Sequence, residues 1–418
     1  MTDKTLGQAL RLLLAWYREN ARVLPFRGTR DPYRIWISEI MLQQTRAGAV
    51  IRYYDRFTEA LPDVFSLAEV PDDELMKLWE GLGYYSRARN LKKCAQVLVR
   101  DYGGQFPEEY DELLRLPGIG FYTAGAIASI AFGRPVPAVD GNEMRVMSRL
   151  GNDDSDVMDM KTKRAVFERL SQAYGALAGR AEADSASGSG KAAGSSSVSG
   201  KNDDHRFGDL NQAFMDLGSE ICIPKTPRCA ECPLEKLCEA RQAGEDRPSQ
   251  LPVRKKAAPK RTEKRTILII GAGDDLLLHR RPAKGLLAGL YEFPGKEGHL
   301  SEDGALQAVK DFGFEPLHIK RLPDAKHVFS HVIWDMICYR VKVADRGDPG
   351  ERQADENSGL RAGSADRAAE TVADAAGAYD PEKQNGTWLW VSSRDAGKEV
   401  PIPSAFAMWF TETGIKEE

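Results

Sequence analysis

Hydrophobic residues recur every three to four positions through most of residues 5–180, beginning with Leu10, Leu13, Leu14 and Tyr17. That period predicts a series of amphipathic helices. It breaks at residues 182–204 (EADSASGSGKAAGSSSVSGKNDD), where Ser and Gly replace apolar residues and predict a flexible insertion. The helical period resumes from Phe207 to Ile221. After Thr266 the texture changes. Thr266–Ile270, Leu276–His279, His331–Val341 and Thr387–Val391 are short runs of β-branched, aliphatic and aromatic residues bounded by Gly or Asp, and they predict strands. Ser301–Phe312 predicts a helix between them. A second insertion, about residues 344–384, is rich in Ala, Asp, Glu, Gly and Arg. The expected layout is a helical region over 1–240, a linker over 241–265 and an α+β domain over 266–418. The linker carries a basic run of Arg254, Lys255, Lys256, Lys260, Arg261, Lys264 and Arg265, suited either to solvent or to phosphates.

Composition narrows the class. A chain of 418 residues suits two or three domains. With 42% hydrophobic and 29% charged residues it is neither wholly disordered nor fibrous. No apolar run approaches the roughly 18 to 20 residues of a membrane span. Residues 1–20 lack a signal-peptide layout, so a bacterial cytoplasm is expected rather than a nucleus. The net charge of −4 means that any case for nucleic-acid binding must be local.

Four of the six cysteines give the first specific signal. Cys222, Cys229, Cys232 and Cys238 are spaced C-x6-C-x2-C-x5-C. Four thiolates on one short loop can surround a single metal centre, either zinc or an iron–sulfur cluster, and spacing alone does not choose. Cys94 and Cys338 read as small buried hydrophobes.

Three further places carry candidate chemistry. In LLRLPGIGFYTAGAIASIAF, residues 113–132, Pro117 stops one helix, and Gly118 and Gly120 permit a hairpin whose backbone N–H groups suit a phosphate. In AVDGNEM, Asp140 and Glu143 have capping-box spacing, so Asp140 is expected to cap a helix and stay ionised, ready to stabilise a developing cation. Glu39, in YRIWISEIMLQQT, sits among Ile35, Trp36, Ile37, Ile40, Met41 and Leu42. Desolvation there would raise its pKa and make it a general acid. One raised and one depressed carboxyl group would form a pair fit to cleave a glycosidic bond through an oxocarbenium-like state.

SEIMLQQT, GLGYYSRARN, LPGIGFYTAGAI, VDGN and the four-cysteine loop occur in one order. Together they closely resemble the MutY adenine DNA glycosylases of the helix-hairpin-helix superfamily, over about residues 5–240. The C-terminal domain resembles the Nudix-like domain of the same family. The resemblance implies a multidomain protein, with an all-α helix-hairpin-helix region (the motif at about 113–133), an iron–sulfur loop at 222–238 and a Nudix-like domain.

The resemblance also selects one [4Fe-4S] cluster over zinc. It implies a monomeric enzyme of base excision repair that removes adenine mispaired with 8-oxoguanine or guanine in double-stranded DNA. By this likeness Glu39 is the general acid and base, Asp140 stabilises the sugar cation, and Tyr122 and Asn142 orient them. Leu42, Gln44 and Tyr84 would enter the duplex near the lesion, and Gly118 and Gly120 would meet its backbone. Tyr122 stands where the bifunctional endonuclease III-like relatives carry a Schiff-base lysine, so a monofunctional enzyme is expected. A bifunctional lyase and a non-catalytic lesion sensor are the alternatives. In the second domain Phe329, Ser330 and His331 match the family's lesion-reading loop. Gln307 and Lys310 replace carboxylates that a hydrolytic Nudix helix needs, leaving Asp311, so recognition without hydrolysis is expected.

Overall fold

The computed structural model describes residues 1–186, 205–255, 259–282, 285–329, 331–347, 388–396, 400, 402–406 and 408–411. Most of both expected insertions, Lys256 and Ser330 therefore lie outside the described residues. Two units emerge: residues 1–71 with 87–257, and residues 72–86 with 258 onward.

In chain order the helices up to the second unit's sheet are α1 (Asp3–Asn20), α2 (Pro32–Leu42), α3 (Ala47–Ala60), α4 (Val64–Glu69), α5 (Asp72–Leu78), α6 (Ser86–Tyr102), α7 (Tyr110–Leu113), α8 (Phe121–Ile130), α9 (Gly141–Leu150), α10 (Met160–Ala186), α11 (Arg206–Glu220), α12 (Glu239–Ala243) and α13 (Arg247–Gln250). All but α5 lie in or open into the first unit. Asp31 starts α2 by accepting a bond from the Tyr33 N–H, with Pro32 in the first turn. The core gathers Leu6, Leu10 and Leu13 of α1, Leu150 of α9, Leu170 and Tyr174 of α10, and Leu210, Phe214 and Leu217 of α11. Helix α8 must be lean where it passes residues 137–138. A Cβ on Gly125 would fall 2.2 Å from the Pro137 carbonyl oxygen. That close approach sets α8 against the segment that leads to Asp140, the cap of α9.

The expected linker is only partly one. Residues 239–250 form α12 and α13, and Leu251 is buried. Arg149 donates to the Leu251 carbonyl at 3.0 Å, and the Val157 N–H donates to that of Val253. The basic run is split too. Arg261, Lys264 and Arg265 belong to a strand, and Arg265 is buried with its guanidinium 4.2 Å from the Trp334 ring centre. Stacking on an aromatic face satisfies an arginine that a solvated linker would leave in water.

The second unit holds β1 (Arg261–Ala272), β2 (Asp275–Arg280), β3 (Tyr291–Glu292), β4 (Gly295–Glu297), β5 (Pro316–Val328), β6 (Val332–Val343) and β7 (Trp388–Ser392). Helix α14 (Glu302–Asp311) is capped by Ser301, and the short α15 (Met408–Thr411) comes last. The sheet runs β3-β2-β1-β6-β5, with β4 also pairing β1 and β7 pairing β2. Strands β1 and β6 are parallel, and β5 and β6 antiparallel. Alternation buries both faces of β1: Ile267 and Ile269 face Trp334 and Met336, while Leu268 and Ile270 join Val309 of α14. The four expected strands are all present. Strand β5 is not among them, because His318, Lys320, Arg321, Pro323 and Lys326 interrupt its apolar pattern. It is an edge strand, where charge and proline are tolerated and discourage stray pairing.

Candidate active site

Glu39 is 6% exposed within the apolar wall of α2. The Tyr122 hydroxyl, from the first turn of α8, donates a short hydrogen bond to Glu39 Oε2. Burial pushes the Glu39 carboxyl up from its ordinary value. The bond from Tyr122 and the nearby Arg27 guanidinium oppose the rise, and the Asp140 charge adds to it. The expected direction for Glu39 is therefore observed.

For Asp140 the expectation reverses. It caps α9, accepting from the Glu143 N–H at 2.7 Å and from Asn142 Nδ2 at 2.7 Å. These bonds favour the anion, yet desolvation outweighs them and the carboxyl is raised as well. The pair is thus two raised carboxyl groups rather than one raised and one depressed. The capping box is also only half made. Glu143 returns no bond to Asp140; its carboxylate is buried, and neither oxygen has a partner among the described residues. Burial, then the Asp140 charge, hold the Glu143 carboxyl well above its ordinary range.

Further residues shape this site. Arg27 binds Tyr17, Gln212 and Asp216, and Arg22 also pairs with Asp216. Asp216 is fully buried. This network escapes sequence reading; its signal is polar Asn211, Gln212 and Asp216 inside the otherwise apolar run of α11. Asn142 is linked onward. Its Oδ1 accepts from Arg145 Nη2 at 2.9 Å, and Arg145 Nε donates to the Cys222 carbonyl at 2.7 Å. Arg149 donates to the Cys222 carbonyl, to Cys222 Sγ at 3.2 Å, and to the carbonyls of Ile223 and Pro224.

Cys222, Cys232 and Cys238 pack against the core around α1, α9 and α11, and Cys229 is half-buried like them. Two single 3-10 turns, Cys229–Glu231 and Glu235–Leu237, fold the loop back on itself. Each thiol lies within electrostatic reach of the other three. Among the described residues no group of three or more His, Cys, Asp or Glu side chains is arranged to hold a metal ion. Cys94 and Cys338 are buried, as expected.

The hairpin forms between α7 and α8. Gly118 needs to be glycine twice over: its φ is 76°, and a Cβ there would meet Asn90 at 2.7 Å. Gly120 caps α8 in an extended conformation with open space on its Cβ side, and Phe121 beside it is 62% exposed. Leu42 ends α2, and Gln44 just beyond is exposed with φ 59°. Tyr84 lies in the segment that packs with the second unit; it is 48% exposed with φ 47°.

In the second unit Phe329 and His331 sit at the turn between β5 and β6. The Phe329 ring stands edge-on to Trp334, 4.8 Å between centres, and against His327. Its N–H donates to the Val332 carbonyl, and its own carbonyl accepts from Lys260 Nζ. On α14, Asp311 accepts a bond from Gln307 at 2.9 Å.

Residues 37–173 match the HhH-GPD superfamily of base excision DNA repair proteins, and residues 265–409 match the NUDIX domain. The two matches together give the class: a base excision DNA repair protein of the HhH-GPD superfamily that also carries a NUDIX domain. Adenine DNA glycosylases are similar along most of the chain. The human one is 34% identical over 77% of this chain and 64% of its own length, so this chain spans just under two thirds of that relative. The Rattus norvegicus enzyme is 33% identical, covering 77% and 68%, and that of Buchnera aphidicola 30%, covering 77% and 83%. The structure of a thermostable thymine-DNA glycosylase aligns over 58% of this chain and 98% of its own, at 29% identity and a TM-score of 0.47. The chain belongs to the adenine DNA glycosylase family.

Proposed function

We propose that this chain excises adenine paired with 8-oxoguanine, or with guanine, from duplex DNA without cutting the strand, and that it works as a monomer. The observation that carries the reading is the buried Glu39 carboxyl, bonded to Tyr122 and within reach of Asp140. An adenine flipped out of the duplex loses stacking and pairing worth a few kcal/mol, least at a mismatch. Glu39, whose carboxyl burial pushes toward the protonated form, gives its proton to adenine N7. The bond from sugar to base then breaks, and its electron pair leaves with adenine. The Asp140 carboxylate stabilises the sugar cation. Glu39, now anionic, takes a proton from the water that adds to the sugar, which restores the acid. Tyr122 orients Glu39, and Asn142 orients Asp140. A phenol cannot form the Schiff base that a lysine amine forms with an abasic sugar.

Leu42, Gln44 and Tyr84 would enter the duplex. Gly118 and Gly120 would receive a phosphate at the α8 N-terminus. Phe329, Ser330 and His331 would read the oxidised base; with Asp311 engaged by Gln307, α14 lacks the carboxylate cluster of a Nudix hydrolase. Cys222, Cys229, Cys232 and Cys238 would hold a [4Fe-4S] cluster. The chemistry of the donors suits it: four thiols lie on one short loop, and Arg149 donates to one of them. Such a group would supply a cross-link fixing the loop, so that Lys225, Arg228 and Lys236 could meet phosphates. Purified protein should then carry about four iron and four sulfide per chain; a single zinc would overturn the cluster.

The test of the main reading is a duplex with one adenine opposite 8-oxoguanine. Wild-type protein should release adenine, and strand breaks should follow only on hot alkali. Glu39→Gln should keep affinity and lose roughly 10² to 10⁴ or more in single-turnover rate. Near-normal excision by that variant would remove Glu39 from its role.

A further inference from the structure

We propose that Arg87 is a positioning residue that forces Gln44 outward at the end of the helix carrying Glu39. The proposal rests on the reading that Gln44 enters the duplex. A helix leaves its last carbonyl groups without intrahelical partners, and chains usually close such an end with a left-handed glycine. Helix α2 ends differently. The left-handed residue is Gln44, at φ 59°, a conformation that residues with a Cβ avoid. The backbone itself supplies one closing bond, from the Thr45 N–H to the Leu42 carbonyl at 3.1 Å. A single guanidinium nitrogen supplies the rest. Arg87 Nη1 donates to the carbonyls of Ile40 at 2.7 Å, Met41 at 3.0 Å and Gln43 at 2.7 Å.

Arg87 is 8% exposed and comes from the first turn of α6. Its positive charge meets the negative end of the α2 dipole, and its planar fork can serve several carbonyls where an ammonium serves fewer. A second tether holds the same turn, because Gln43 Nε2 donates to Thr123 of α8 at 3.3 Å. One turn further along α6, Asn90 occupies the space beside Gly118 of the hairpin. Gln43, Arg87, Asn90 and Gly118 line one shared cleft. The first turns of α6 therefore support both the Gln44 turn and the hairpin.

An arginine could cap a helix end for stability alone. The distinguishing feature is what it caps. A turn that needed only closure would take glycine, which adopts this conformation without strain. Here the strained position carries a side chain that points to solvent. Arg87 offsets the strain, and the outcome is an exposed polar side chain fixed at one angle, about one helical turn beyond Glu39.

The test uses the full-length chain and a duplex with 2-aminopurine next to an adenine opposite 8-oxoguanine. Its fluorescence rises when neighbouring bases unstack, and rapid mixing reads the jump before excision. Gln44→Ala should lose most of the jump. Arg87→Met should reproduce that loss and slow single-turnover excision by on the order of tenfold to a hundredfold, the scale of a small misplacement. Adding Gln44→Gly to Arg87→Met should raise the denaturation midpoint by relieving strain, without restoring the jump. If Gln44→Ala keeps the jump, the reading of Gln44 falls and the proposal with it. If Gln44→Ala loses the jump but folded Arg87→Met keeps it, Gln44 stands and the proposal alone is overturned. Should Arg87→Met not fold, Arg87→Lys replaces it. It keeps the charge and reaches fewer carbonyls; a partial loss supports the proposal, and a full jump overturns it.

Discussion

Three carboxyl groups, Glu39, Asp140 and Glu143, sit close together and are all pushed up by burial. Each carries a linked cost in stability. A carboxyl whose folded pKa is raised favours folding fully only below its ordinary value. That contribution is lost as pH climbs from there through the folded pKa, at about 1.4 kcal/mol for each whole step of pH. Glu143 has no partner among the described residues to soften this. Glu143→Gln should therefore stabilise the chain increasingly as pH rises above the ordinary carboxylate value, with little change at pH 4. Denaturant midpoints across that range measure it, and a gap that ignores pH would argue against a buried neutral Glu143. Activity follows a different sign for each of the other two. Glu39 acts as an acid, so excision should fall as pH rises through its raised pKa. Asp140 acts as an anion, so excision should fall as pH drops through its own. The Asn142 bond lowers the Asp140 pKa. Asn142→Ala should then move the acid limb of the single-turnover profile to higher pH, and an unmoved limb would show that Asn142 does not tune Asp140.

Among elements, α9 and α11 approach closely enough that a single methyl group matters. A Cβ on Gly218 would meet the Asn142 Cβ at 2.6 Å. Gly218→Ala should push Asn142 from Asp140, cost about 1 to 3 kcal/mol of stability by overpacking, and slow excision with little change in duplex affinity. Equal rates in wild type and variant would mean that Asn142 has room to adjust. This level is also where sequence reading succeeds and fails. Local rules find Asp140 as a cap, because capping needs only the neighbouring residues. They find Glu39 in its apolar setting from the adjacent Ile and Met. They miss Arg27 with Asp216, and Arg145 with Cys222, because those partners are separated by 189 and 77 positions. They misjudge the Asp140 pKa because desolvation depends on what packs over the cap. They read α12, α13 and β5 as irregular because docking and an edge position override a weak pattern.

At the scale of the whole molecule, the turn between β5 and β6 separates reading from chemistry. The double change Ser330→Ala, His331→Ala should leave adenine excision opposite guanine nearly intact. It should reduce the preference for 8-oxoguanine by ~1 to 3 kcal/mol, the scale of base-edge hydrogen bonds. The ratio of single-turnover rates with the two opposite bases is the measurement, and an unchanged ratio would remove this loop from recognition. A truncation after residue 257 is a less clean test than its catalytic content suggests. Residues 72–86, Tyr84 included, pack with the second unit, and Arg280 there pairs with Asp73 at 3.1 Å. Deleting that unit strips the segment of its neighbours along with the reading loop.

The same segment sets a schedule for the growing chain. Residues 72–86 leave the ribosome long before the rest of their unit, which begins at residue 258 and includes Arg280 of β2, the partner of Asp73. At synthesis rates of about 5 to 20 residues per second, the wait from the segment to Arg280 is roughly 10 to 40 seconds. Over that interval Asp73 lacks the guanidinium that it pairs with in the finished protein. A stretch that interrupts the first unit thus waits for sequence that has yet to be translated.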